Sequence, residues 1–124
     1  MTAEKKINQR IKIIGCGKMA SAILDAWLKK SMSPQDMYVD DPKPSEWLLE
    51  KKKHGLNINT KADVSFDYCF IGVKPQSLDE IKLKLKGLSK KNVTFVSMLA
   101  GVKIKRLEDI IGKDESIVRI MPVS

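Results

Sequence analysis

The stretch Ile11-Lys-Ile-Ile-Gly15-Cys-Gly17-Lys-Met-Ala20 constrains this chain more than any other. A short apolar run opens directly into Gly-x-Gly-x-x-Ala, and an amphipathic segment follows. That order reads as a strand, a tight turn and a helix start, the setting in which such glycines cradle a dinucleotide. Gly15 permits the turn out of the strand. Gly17 has no Cβ, so a pyrophosphate can approach the backbone. Ala20 is small enough for the helix to lie against the strand. The N–H groups at the helix start and the positive end of its dipole then face the phosphates, with Cys16, Lys18 and Met19 completing the turn. The alternative is a glycine-rich turn that binds nothing.

Apolar runs alternate with helical patterns along the rest of the chain, which indicates a parallel α/β sheet. A strand at about 10–14 leads into a helix at about 18–30, with Met19, Ala22, Ile23, Ala26 and Trp27 on its inward face. Ser31-Met-Ser-Pro34 breaks that helix. Met37-Tyr-Val39 is a second strand, ending at Asp40-Asp41, and Pro42 and Pro44 forbid its continuation. A short helix starts near Ser45 and runs to about Lys53, with Gly55 as its stop. Leu56-Asn-Ile58 is a brief third strand. Tyr68–Val73 is a buried strand, and Pro75 then opens a helix with Leu78, Ile81 and Leu85 inward, stopping near Gly87. Val93–Ser97 is another buried strand. Ile104, Leu107 and Ile111 fit one helix face, and Ile117–Ile120 is a last strand closed by Pro122. The expected fold is therefore α/β: a Rossmann-type, doubly wound, mostly parallel sheet of about six strands with helices on both faces. Only about nine residues join Ile58 to Tyr68, whereas a parallel crossover usually takes a dozen or more. Either the usual third helix is reduced to a turn or the third strand is barely formed.

A chain of 124 residues makes one domain with a real core. No apolar run approaches the ~20 residues of a membrane span, and the first ten residues have no apolar secretory core. A cytoplasmic protein is the default expectation. The net charge of +8 comes from 20 lysines and 3 arginines. Nucleic-acid binding is weighed on that account and set aside. The lysines lie on helix faces and in loops, no aromatics alternate with them to stack bases, and few arginines are available to read base edges. An anionic dinucleotide gains from the same field.

Cys16 and Cys69 fall at opposite ends of neighbouring strands, roughly 15 Å apart at about 3.3 Å per residue. A disulfide needs Cα atoms within ~7 Å, so both are read as free thiols. They have no partners for a metal site. His54, the only histidine, sits in Lys53-His-Gly55 and is read as a surface residue at a helix end.

Four motifs in order carry a family resemblance: Ile14-Gly-Cys-Gly-Lys-Met-Ala20, Gly72-Val-Lys-Pro-Gln76, Ser97-Met-Leu-Ala-Gly-Val102 and Arg119-Ile-Met-Pro122. The chain resembles the N-terminal domain of pyrroline-5-carboxylate reductases. The resemblance implies hydride transfer from NAD(H) or NADP(H) to the imine carbon of pyrroline-5-carboxylate, giving proline. It implies that Val73, Lys74, Pro75, Met98, Leu99 and Ala100 line the cofactor crevice near the nicotinamide half. On the residues alone, Val73-Lys-Pro75 also reads as a plain strand exit and Leu99-Ala-Gly101 as a plain turn. The chain departs from the family where Val123 and Ser124 follow Pro122, and where the family's second, all-helical domain is expected. That domain makes the family's homo-oligomers and holds the substrate. A chain without it is expected to be monomeric and inactive in proline formation, so no catalytic acid or base is assigned within residues 1–124.

The second predicted strand ends in Asp40-Asp41, 23 positions beyond Gly17. An acid there accepts hydrogen bonds from the adenosine ribose and repels a 2′-phosphate, which favours NAD(H) over NADP(H). Lys43 and the two prolines oppose that reading, and the acids also fit a plain strand end and turn. Other readings stay open: a noncatalytic dinucleotide-binding module, or another reductase of the β-hydroxyacid dehydrogenase or deazaflavin-dependent type.

Overall fold

The computed structural model describes residues 9–30, 32–61, 64–89, 91–112 and 115–120. Six strands form one sheet: β1 (Ile11–Ile14), β2 (Met37–Asp40), β3 (Asn57–Ile58), β4 (Tyr68–Ile71), β5 (Thr94–Ser97) and β6 (Ile117–Arg119). Every pairing is parallel, in the order β3-β2-β1-β4-β5-β6. Four α-helices accompany them: α1 (Lys18–Leu28), α2 (Glu46–Lys52), α3 (Lys82–Ser89) and α4 (Ile104–Ile111). The expected Rossmann-type, doubly wound sheet is present, and all of its strands run parallel.

Strand side chains alternate between faces, so each apolar strand serves two cores. Ile11 and Ile13 of β1 join Met37 and Val39 of β2, with Ala20 and Leu24 of α1 and Leu48 of α2 packed over them. Ile14, Cys69, Ile71 and Phe95 face the other way, under Leu85 of α3 and Leu107, Ile110 and Ile111 of α4. Each of these side chains is at least nine-tenths buried. Full burial of one such side chain stabilises by about 1.5–3 kcal/mol, so the two layers hold the sheet from both sides.

Four local readings differ from the sequence expectation. In α1 the buried residues are Ala20 and Leu24, while Ala22 and Ala26 are exposed. That helix is apolar nearly all round, so periodicity alone could not choose the stripe. The stripe that turns inward packs Ala20 and Leu24 on Ile11, Ile13, Met37 and Val39. Gly87 does not stop α3, which runs on to Ser89. A glycine on an exposed helix costs only about 1 kcal/mol. The segment Pro75–Ile81 ahead of α3 is a 3₁₀ helix, begun by the Ser77 N–H bonding back to the Lys74 carbonyl at 2.8 Å. Ile104 is exposed, and Ile110 takes the inward place expected for it.

The short β3–β4 connection has no helix among its described residues. It crosses on the α3/α4 side, where Val64 and Phe66 pack into the core. Asn59 makes the crossing with a positive φ of 53°. Its side chain extends the ladder past β3 by donating to the Asp41 carbonyl and accepting from the Asp41 N–H, each at 2.8 Å. Pro122 and its neighbours Met121, Val123 and Ser124 lie outside the described residues, as do Met1–Asn8 and Ser31.

Candidate cofactor site

In a doubly wound sheet, ligands bind beyond the carboxyl ends of the strands where the strand order reverses. Here the order reverses between β1 and β4. All the predicted site residues stand at carboxyl ends: Gly15–Ala20 after β1, Asp40 and Asp41 at the end of β2, Val73–Pro75 after β4, and Met98–Ala100 after β5. A crevice of about 440 Å³ opens there, with Gly15, Asp40, Asp41, Val73 and Lys74 in its wall. Ser77, Ile81 and Lys84 close it from the β4–α3 side.

The two glycines of the turn differ in what the fold asks of them. Gly15 has φ +81°, and a Cβ there would lie 2.7 Å from the Val73 backbone nitrogen. Both the left-handed backbone and the contact exclude other residues. Gly17 has φ −82° and ψ −161°, extended backbone open to any residue. A Cβ on Gly17 would meet nothing within 4 Å. The backbone conformation and the packing around it therefore do not require glycine at position 17, and the space over it is open.

The start of α1 is also open. The first turn of a helix leaves its N–H groups without intrahelical partners. At α2 the Ser45 hydroxyl accepts from the Leu48 N–H at 3.2 Å. At α1 the N-cap is Gly17, without a side-chain cap, and no acidic residue lies in the first turn. Gly72 brings β4 against this turn: a Cβ there would lie 2.6 Å from the Gly15 carbonyl oxygen and 2.9 Å from the Met98 methyl. Met98 thus packs against Gly72 from the end of β5. Leu99 departs from the expectation, because its side chain is 2% exposed and buried under α3 and α4. Its N–H is held by the Ser97 hydroxyl at 3.2 Å. Lys74, Pro75 and Ala100 are exposed, and of the six residues expected to line the crevice only Val73 and Lys74 do so.

The acid pair is placed as expected but both carboxylates are already engaged. Asp40 Oδ2 accepts from Lys12 Nζ at 2.7 Å and from Lys84 Nζ at 3.0 Å. Asp41 Oδ2 accepts from the Cys16 N–H at 3.0 Å, and Oδ1 from the Lys43 N–H at 2.9 Å. Sequence reasoning passed over Lys12, Lys84 and Asn59. Lys12 carried a signal, a cation inside the apolar run Ile11-Lys-Ile-Ile14. Lys84 and Asn59 come from distant segments, and only the fold brings them to Asp40 and Asp41.

Both cysteines are free and buried. Burial pushes the Cys16 thiol up, Asp41 adds to the rise, and a hydrogen bond with Ser21 opposes it. Complete burial raises Cys69 to about 12. Both are thiols near neutral pH, not nucleophiles. His54 is exposed beside Glu50, 3.6 Å away. Among the described residues no group of His, Cys, Asp and Glu could hold a metal ion. Among them no helix is long and apolar enough to cross a membrane.

Comparison with known proteins agrees with this geometry. The pyrroline-5-carboxylate reductase of Aquifex aeolicus is 32% identical over 121 residues, covering 94% of this chain and 43% of that protein. A solved pyrroline-5-carboxylate reductase from Coxiella burnetii is 26% identical with a TM-score of 0.81, over 94% of this chain and 44% of that one. The Plasmodium falciparum pyrroline carboxylate reductase, solved with NADP bound, shares the fold at TM-score 0.75 and 20% identity, over 95% of this chain and 44% of that one. The chain thus spans under half the length of the relatives it matches. The model of the family described as NADP oxidoreductase, coenzyme F420-dependent, matches residues 10–101, and the chain belongs to that family.

Proposed function

We propose that residues 1–124 form one NAD(P)-binding domain, and that this domain serves a pyrroline-5-carboxylate reductase. The observation that carries the reading is the open space over Gly17 at an uncapped helix start, beside the crevice at the β1/β4 switch point. The residues fit the group. Gly15 lets the chain turn, Gly17 leaves room for a pyrophosphate, and the first N–H groups of α1 point at it. Lys18, Met19 and Ala20 supply that first turn, and Cys16 links it to Asp41. Val73 and Lys74 form one wall of the crevice, and Asp40, Asp41 and Asn59 form the other. Pro75, Met98, Leu99 and Ala100 stand outside its lining.

When bound, the nicotinamide supplies a hydride, which adds to the C=N carbon of pyrroline-5-carboxylate while the nitrogen takes a proton. The protein residues here position and shield. Hydride addition to an imine needs no nucleophilic side chain, in keeping with two thiols held protonated. The relatives are more than twice as long as this chain, and closed positioning of the substrate supplies much of the rate in such reactions. Residues 1–124 are therefore expected to bind dinucleotide without turning over pyrroline-5-carboxylate.

The test is calorimetric titration of the chain with NADPH, NADH and coenzyme F420, followed by an NADPH-oxidation assay with pyrroline-5-carboxylate. Saturable binding of a nicotinamide dinucleotide supports the reading. Binding of F420 alone transfers the chain to a deazaflavin reductase, and binding of none removes the reading.

A further inference from the structure

Two lysines from different elements converge on one oxygen of Asp40. Lys12 reaches Oδ2 from β1 at 2.7 Å, and Lys84 reaches the same atom from α3 at 3.0 Å. The Lys12 and Asp40 side chains are 10% and 14% exposed, whereas Lys84 is 46% exposed. A carboxylate that is nearly buried needs a cation, and Lys12 meets that need from inside the sheet. Its ammonium also lies 5.4 Å from the centre of the Phe66 ring, which fixes it further. Lys84 is then a second cation on a carboxylate already paired. The three groups together carry one net positive charge.

Their position matters. Asp40, Asn59 and Lys84 border the 440 Å³ crevice and also a second, adjoining crevice of about 500 Å³ that holds Lys12 and Lys61. Lys84 therefore stands on the ridge between the two. An acid at the end of the second strand meets the adenosine ribose in folds of this kind. Any group attached to a ribose oxygen that reaches Asp40 also comes within reach of the Lys84 ammonium. The lysine stem is long and exposed, so it can turn to a phosphate while Lys12 keeps Asp40 paired. Asp41 keeps its negative charge, with its two oxygens turned to the Cys16 and Lys43 N–H groups, so the two lysines and two acids are together neutral rather than repulsive to a phosphate. Glu80 and Lys74, one of each charge, also line the first crevice and are exposed.

We propose that Lys84 discriminates between coenzymes in this chain. It offers its ammonium to the 2′-phosphate of NADP(H), so NADPH binds at least as tightly as NADH despite the acids at the end of β2. The proposal rests on the dinucleotide reading above. It reverses the preference that Asp40-Asp41 suggests when read without the lysines.

The experiment measures dissociation constants of NADPH and NADH for the parent chain, Lys84→Gln, Lys84→Arg and Lys29→Gln, at matched ionic strength. Lys29 caps the C-terminus of α1, at the far end of that helix from the glycine turn, and serves as the control for net charge. A charge-assisted contact at this exposure predicts about a tenfold loss of NADPH affinity in Lys84→Gln. NADH should change less than about threefold on the same argument, Lys84→Arg should retain NADPH binding, and Lys29→Gln should behave as the parent. An unchanged NADPH/NADH ratio in Lys84→Gln overturns the proposal, and so does equal weakening of both coenzymes. Parent binding of NADH tighter than NADPH overturns it too. If the parent binds neither coenzyme, the dinucleotide reading itself fails and the proposal with it. Thermal melts of each variant separate loss of fold from loss of contact.

Discussion

The Asp41 carboxylate and the Cys16 backbone N–H, 25 residues apart in sequence, meet at 3.0 Å and tie the end of β2 to the glycine turn after β1. The same carboxylate accepts from the Lys43 N–H, so one side chain shapes both loops at the mouth of the crevice. Asp41→Ala removes both bonds. At partial exposure the expected loss is about 1–2 kcal/mol, or about 3–8 °C in melting temperature. Asp41→Asn keeps an acceptor and should lose less. Circular dichroism melts check the order.

Gly15 and Gly17 separate fold from ligand. Gly15→Ala forces a side chain into a left-handed backbone and against Val73. It should cost about 2–4 kcal/mol in urea unfolding. Gly17→Ala loses a glycine N-cap and should cost about 0.5–1 kcal/mol, well below Gly15→Ala. Equal costs at the two positions would mean that Gly17 serves the fold after all.

The ion triad predicts unequal stabilities for its two lysines. Lys12→Met leaves a nearly buried carboxylate to Lys84 alone, and should cost about 1–2 kcal/mol. Lys84→Met removes the exposed partner of an acid that Lys12 still holds, and should cost under about 0.5 kcal/mol. Denaturant midpoints of the two variants test the difference.

Cys69 predicts an alkaline limit. Its thiol is raised from an ordinary value of 9.0 to about 12 by burial. Between those values the unfolded chain has released a proton that the folded chain keeps. Stability is full below pH 9 and falls as pH rises toward 12, by at most about 1.4 kcal/mol per pH unit from this group. Cys69→Ala should flatten that slope in melts between pH 8 and 11. Native Cys69 should also resist iodoacetamide at neutral pH.

Much of this architecture was legible because parallel strands buried on both faces read as short apolar runs punctuated by glycine and proline. Tyr68–Ile71 and Thr94–Ser97 stand within two residues of where the pattern put them. The carboxyl-end placement of Gly15, Asp40, Val73 and Met98 follows from that alternation alone. The rotation of α1 was not legible, because Met19, Ala20, Ile23, Leu24 and Trp27 offer two apolar stripes and only packing against the sheet selects one. The partners of Asp40 were not legible either. Lys84 lies 44 residues away in sequence, and no local pattern announces a pairing across the crevice. A charge read from sequence gives the acid but not what neutralises it.

The account turns on Gly17, and the direct measurement is NADPH binding to Gly17→Val beside the parent chain. Extended backbone and open space at this position let valine fold in place. The expected result is a melting temperature lowered by only a few degrees, the loss of a glycine N-cap, with NADPH affinity lost by at least about a hundredfold, because the added methyls occupy the pyrophosphate's approach. A folded Gly17→Val that binds NADPH as tightly as the parent would contradict the assignment of the site.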